Sequence, residues 1–279
     1  MPGGQMQTGL DDLPEPGDLH ARLARTRPLD WGEPIPTKAE IAGLYGSGAA
    51  VESLTLLTRA AEVEAELTDE LVASIRDGTT SYQLESRLKS PQSLARKIRK
   101  MAGTQFSKQP LDDVVRYTIV TSDPDDLVPA SVDVHDSLHR HGWTINGAVH
   151  SYAEGSRYKG LHLHLQKHGQ RVELQLHSHE SIEVKDRTTP LYVVERDSTQ
   201  PREKRADARE AAIALSAQMR QPRGIDDLTA LGGVPVEVRV YGRQDRRSAR
   251  PDRATGPTST GRSAAIQSID YKRKGGMAK

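Results

Sequence analysis

The sequence predicts an α+β fold, a small mixed sheet of about five strands flanked by helices. Three observations carry this. "DDVVRYTIV" has the length and the β-branched content of a buried strand. "YKGLHLHLQKHGQRVELQLHS", Tyr158–Ser178, alternates apolar and polar residues, turns, and alternates again, the pattern of a β-hairpin. The segments on either side carry apolar residues at helical spacing, so helices cover the sheet.

The elements follow in order. Residues 1–36 are rich in Gly and Pro without a hydrophobic period, and read as a flexible or loosely docked segment. From about Thr37 helical signals begin. Leu54, Leu57, Ala61 and Val63 fall on one helix, and Thr68 followed by Leu71 starts another that Gly78 ends. "SPQSLARKIRKMAG" is a short basic helix, with Ser90 as N-cap, Pro91 in its first turn and Gly103 as its stop. After the strand, "DDLVPASVDVHDSLHRHG" is an amphipathic helix and "WTINGAVHSY" a second strand ahead of the hairpin. "SHESIEVKDRTTPLYVVERD" is helical with an interruption near Pro190, "EKRADAREAAIALSAQMR" is an amphipathic helix, and "VPVEVRVYG" is one more strand. The domain therefore spans 37–240, and 241–279 form a basic, disordered tail of Arg, Ser, Thr, Gly and Pro.

Composition narrows the chemistry. Aromatic residues make up only 4% of the 279, so the core rests on Leu, Val, Ile and Ala. The absence of cysteine excludes disulfides, thiolate nucleophiles and Cys-ligated zinc. No apolar run reaches membrane-spanning length, and the N-terminus lacks a secretory signal's basic start and apolar stretch. A cytoplasmic site of action is expected, with delivery by a non-standard route left open. The net charge is +1, but from Val240 to Lys279 ten Lys or Arg stand against three Asp, a local +7. Such a tail attracts RNA by counterion release, or serves as a solubilising segment.

Three groups of residues could carry chemistry. In "RLKSPQSLARK", Arg87 and Lys89 alternate, while Ser93 and Lys97 share one helix face. Cations beside a helix start form a triphosphate cradle; a solvated basic helix is the plainer alternative. Asp112 and Asp113 stand at the edge of a strand, where a carboxylate joins substrate phosphates in holding Mg²⁺, or merely ends a turn. Arg116 lies inside that strand, as a surface cation or as a guanidinium stacked on a base. In the hairpin, Glu173, Gln175 and His177 share one side, and Tyr158, His162 and His164 share one side of the opposite strand. A zinc site from His162, His164 and His177 is a weaker reading, because alternating histidines lack the helix-borne pair that marks such sites.

"RLKSPQSLARK", "DDVVRYTIV", "YKGLHLHL" and "VELQLHS" together resemble, in order and spacing, the RelA/SpoT-like nucleotide pyrophosphokinase (alarmone synthetase) domain over roughly Ala65 to Asp197. That family typically shows R-x-K-x-x-x-S-x-x-x-K, a strand-edge Asp followed by an Arg, Y-x-S-L-H, and V-E-I-Q-I-R-T. The variants here look most like the divergent branch of bacterial and phage toxins and effectors. The resemblance implies that Arg87, Lys89, Ser93 and Lys97 hold ATP and that Arg116 packs on its adenine. It implies that Asp113, or Asp112, binds Mg²⁺, and that Glu173 binds Mg²⁺ or acts as the base. Tyr158 would stack on the acceptor base, His162 would contact the acceptor, and Gln175 and His177 would support. The implied reaction transfers pyrophosphate from ATP to a ribose 3′-hydroxyl of GDP/GTP, of an adenosine nucleotide or of tRNA. A growth-inhibiting toxin with an antitoxin or immunity partner is one implied role; an inactive, RNA-binding scaffold is the competing one. The departures are Gly160 where the family has Ser, His177 where it has Arg, Glu154 where a Lys is usual, and an Arg116 three positions after Asp113 rather than five. They weaken any inference of guanine specificity.

Overall fold

The computed structural model describes residues 9–104 and 110–242. Three helices come first: α1 (Pro16–Ala24), α2 (Lys38–Tyr45) and α3 (Ser47–Ala73). Then follow β1 (Thr79–Ser81), α4 (Pro91–Met101), β2 (Val115–Thr121), α5 (Leu127–Arg140), β3 (Thr144–His150), β4 (Leu161–Lys167) and β5 (Gln170–Ser178). The described chain closes with α6 (His179–Arg196), α7 (Arg202–Ala217), β6 (Ala230–Leu231) and β7 (Val234–Val238).

The fold is α+β. The strands form one mixed sheet in the order β1-β2-β5-β4-β3-β7-β6. The five expected strands are all present. The other two, β1 and β6, have three and two residues, too few for an alternation to register in the sequence. The β4–β5 hairpin turns on His168 and Gly169, both at positive φ (49° and 75°), the backbone of a two-residue type I′ turn. β2 runs parallel to β5, placing Arg116 beside Glu173 and Thr118 beside Gln175. β4 runs antiparallel to β5 and places His164 beside Glu173 and His162 beside Gln175.

The sheet is covered on both faces. Val115, Tyr117, Ile119, Leu163, Leu165, Val172, Leu174 and Leu176 point to the main core, with Leu57, Leu67 and Leu71 of α3 and Val134 and Leu138 of α5. Tyr117 marks this face: its hydroxyl lies 2.8 Å from Thr68 Oγ1 on α3. The other face carries Arg116, Glu173, Gln175, His177, His162 and His164, and α6 packs against β2 and β5 there. This is why polar positions in the hairpin are buried.

Three expectations change. Residues 9–36 are not loosely docked: α1 forms, and Leu19, Leu23, Leu29 and Trp31 enter the main core, with Trp31 Nε1 donating to the Leu88 carbonyl at 3.1 Å. The apolar residues of this segment are too sparse for a visible period, yet these four reach the core that α3 and Leu88 share. Thr68 starts no new helix; it sits inside α3, with its hydroxyl engaged by Glu64 and Tyr117 instead of a backbone N–H. Pro190 does not interrupt α6, which is secured at its start by a Ser178–Ser181 capping box and ahead of the proline by Thr188 and Thr189 hydroxyls on the Lys185 carbonyl. Residues 1–8 and the tail from 243 onward lie outside the described residues. Among the described residues, no helix is long and apolar enough to cross a membrane.

Candidate active site

The site is built where β2 and β5 run side by side. The Ser90 hydroxyl accepts the Ser93 N–H at 3.3 Å, so α4 starts as its N-cap sequence dictates. This projects Lys97 toward the residue pair just before β2. Lys89 Nζ donates to Asp113 Oδ2 at 2.9 Å and Lys97 Nζ donates to Asp113 Oδ1 at 2.6 Å. Burial alone would raise the Asp113 carboxyl; the two ammonium groups outweigh it and hold it below its ordinary value, while the charge of Glu173 pushes the other way. Burial lowers Lys89, with Asp113 opposing.

Asp112 turns elsewhere. It is ion-paired with Arg171 and lies 3.4 Å from His164 Nδ1. Of the two adjacent aspartates, Asp113 is the one that meets the lysines.

Glu173 is buried, with Oε1 at 3.0 Å from His162 Nδ1. Burial raises this carboxyl, but the hydrogen bond from His162, then the charge of Arg116, leave it well below the ordinary carboxylate value. It is therefore ionised. Gln175 Nε2 is buried with no hydrogen-bond partner among the described residues.

Two cavities are lined by partners of these acids, although by neither Asp113 nor Glu173 itself. A cleft of about 620 Å³ is lined by Lys89, Ser93, Lys97, Arg116, Trp31 and Lys185, among others. A much smaller cavity, about 50 Å³, is lined by Tyr158, His162, Lys185, Tyr192, Tyr241 and Arg157 with others. Lys185 lines both. It is 7% exposed, and burial, then Arg116, lowers its pKa to about 7, with Asp186 and Glu173 opposing. No sequence signal marked Lys185, Tyr192 or Tyr241, because nothing local to them shows that α6 and the segment after β7 close over the polar face of the sheet.

Arg87 departs from its expected place. It is 1% exposed and lies outside the cleft: Nε is paired with Glu64 of α3, and Nη1 donates to the Pro28 carbonyl at 2.6 Å. The premise of an extended backbone fails there, since Leu84–Ser86 form a 3-10 turn and Arg87 is its helical C-cap. Arg87 thus ties the N-terminal segment to α3 rather than cradling phosphates. Tyr158 departs in part. Its hydroxyl is buried between His162 Nε2 (2.8 Å) and His177 Nε2 (3.0 Å), while the residue lines the small cavity.

Among the described residues, no cluster of three or more His, Asp or Glu side chains is assembled that could hold a metal alone. Asp113 and Glu173 are hard oxygen donors of the kind Mg²⁺ takes, one or two carboxylates with substrate phosphates and water completing the shell, and both Asp113 oxygens are held here by Lys89 and Lys97.

No protein-family model matches the chain, and no curated protein does. Among solved structures, it is similar to the small alarmone synthetase 1 from Bacillus subtilis bound to its product pppGpp, at 16% identity over 58% of this chain and 88% of that one, with a TM-score of 0.37. Another structure of the small alarmone synthetase 1 from Bacillus subtilis matches at 18% identity over 58% and 87%, TM-score 0.37. A GTP pyrophosphokinase family protein from Streptococcus pneumoniae matches at 16% identity over 64% and 87%, TM-score 0.35.

Proposed function

We propose that the chain is an ATP-dependent pyrophosphokinase that transfers the β,γ-pyrophosphate of ATP to a ribose 3′-hydroxyl. One observation carries the reading: Lys89 and Lys97, which line a cation-rich cleft, clamp the buried Asp113 carboxylate beneath it, and Arg116, another lining cation, stands beside the buried Glu173 across the β2–β5 pair. Three of the four sequence blocks that resemble the RelA/SpoT-like domain supply these residues.

In this mechanism the acceptor 3′-oxygen attacks the β-phosphorus. The bond from that phosphorus to the α–β bridging oxygen breaks, and AMP leaves carrying that oxygen. Glu173 takes the hydroxyl proton; it is held ready by His162. Lys89, Lys97, Ser93 and Arg116 bind the donor, and Lys185, shared by both cavities, meets the phosphates in transfer. Such reactions are catalysed mainly by positioning and by charge stabilisation. Mg²⁺, held by Asp113 and Glu173, would supply neutralisation of the phosphate oxygens. ATP phosphates compete with Asp113 for its lysines, so donor binding itself frees the carboxylate.

The acceptor lies among GDP/GTP, adenosine nucleotides and tRNA. Glu154 is exposed on the β3–β4 loop, an acid where a phosphate would be approached, which disfavours a highly phosphorylated guanosine acceptor. Growth arrest on expression is the expected cellular consequence. The deciding experiment offers γ-labelled ATP and Mg²⁺ with GDP, GTP, AMP, ADP, ATP or bulk tRNA. One acceptor should gain label with stoichiometric AMP, and Glu173→Gln should lower the rate by about 10²–10³. RNA binding with no AMP release from any acceptor would support the inactive-scaffold reading instead.

A further inference from the structure

Four hydrogen-bond contacts lead without a gap from Glu173 into the protein. Glu173 Oε1 to His162 Nδ1 is 3.0 Å, His162 Nε2 to Tyr158 Oη 2.8 Å, Tyr158 Oη to His177 Nε2 3.0 Å, and His177 Nδ1 to Ser181 Oγ 2.9 Å. All five side chains are buried. A phenol has one proton to donate. With Glu173 ionised, His162 Nδ1–H is the donor to it. With both imidazoles neutral, the remaining protons run one way: Tyr158 donates to His162 Nε2 and His177 Nε2–H donates to Tyr158, which leaves His177 Nδ1 as an acceptor that shares the Ser181 hydroxyl proton with the Ser178 carbonyl at 3.0 Å.

Gly160 belongs to the same unit. It faces His177 across the β4–β5 pair, and a Cβ there would stand 2.8 Å from His177 Cε1, 3.0 Å from Tyr158 Oη and 3.2 Å from His162 Nε2. Its φ is not positive, so glycine is required for space rather than for backbone conformation. The two departures from the family pattern, Gly160 and His177, thus occupy one another's volume.

We propose that His177 is a positioning residue: acting through the Tyr158 hydroxyl, it holds His162 in the tautomer that serves Glu173, in the room that Gly160 leaves. This rests on the reading of Glu173 as the group that receives the acceptor proton. The groups facing His177 are Lys185 from α6, His162 from β4, Arg116 from β2, Tyr158, and Glu173 on its own strand; burial first, then the charge of Lys185, keeps the imidazole neutral.

The test compares Tyr158→Phe, His177→Ala and the double variant. Each single change should lower kcat by about tenfold, the worth of one buried hydrogen bond, with KM little changed. The double variant should be no slower than Tyr158→Phe, because His177 has no other route to Glu173. His177→Gln, whose amide N–H stands in for Nε2–H, should recover most of the rate. Multiplying losses in the double variant, or an effect of His177→Ala on KM alone, would overturn the proposal. An activity-independent arm uses side-chain ¹⁵N NMR of the histidines without nucleotide. The wild-type protein should show His162 protonated at Nδ1, and His177→Ala and Gly160→Ala should each convert that signal to a tautomer mixture. An unmoved His162 signal in both refutes the inference even in a protein that transfers nothing, whereas absent transfer with a responsive signal counts only against the proposed function.

Discussion

Replacing Lys185 with methionine should make the protein more stable and less active at once. The ammonium is almost fully enclosed between α6, β2 and β5, beside Arg116, and its pKa falls to about 7 from 10.5. In the unfolded chain it keeps its ordinary value. The unfolded state therefore binds more protons between pH 7 and pH 10.5, and this group makes stability rise with pH across that window. At about 1.36 kcal/mol per unit, keeping this lysine costs the fold about 4 kcal/mol at pH 7 and about 1 kcal/mol at pH 10. Methionine has a similar length and no charge to desolvate. The stability difference between variant and wild type, measured by urea denaturation at several pH values, should thus favour the variant near neutrality and shrink by about 3 kcal/mol toward pH 10. Pyrophosphate transfer should fall in the same variant, since a cation shared by both cavities is gone. A variant that is less stable at pH 7, or a difference that does not vary with pH, would refute the assignment of a strained buried lysine.

Other expectations test the roles reassigned by the structure. Arg87→Met should lower stability by about 3–5 kcal/mol by leaving Glu64 buried and unpaired, while the folded protein keeps its ATP affinity; normal stability with weakened ATP binding would return Arg87 to the donor site. Trp31→Ala should cost about 3–5 kcal/mol in urea denaturation, and an unaffected midpoint would show the N-terminal segment to be dispensable. Asp113→Asn removes the counter-charge of Lys89 and Lys97, so calorimetry in EDTA should show tighter ATP binding while turnover with Mg²⁺ drops by about 10²–10³. Weaker ATP binding in EDTA would mean that the two lysines do not hold the donor.

Local patterning made much of this legible in advance. The five main strands, the hairpin and the Ser90 cap rest on periods of two and 3.6 residues and on capping chemistry, all read over a few positions. The alternation also placed Glu173, Gln175 and His177 on one side and His162 and His164 on one side of the next strand, which the β4–β5 register then joined. The adjacent Asp112 and Asp113 could not be told apart, because their partners come from different elements: Arg171 and His164 for one, Lys89 and Lys97 for the other.

What the sequence determined by itself is therefore the strands, the caps and the side of the sheet on which each polar residue falls, since these depend on neighbours a few residues away. Tertiary structure alone decided which charges are buried and with whom. Arg87 finds Glu64 at 23 residues' separation and Pro28 at 59, and Tyr158 meets His177 at 19. A cation has the same sequence signature whether it faces phosphate or a buried carboxylate. Only the packing of α3 and α6 on opposite faces of the sheet sets the desolvation and the opposing charge that separate the two outcomes.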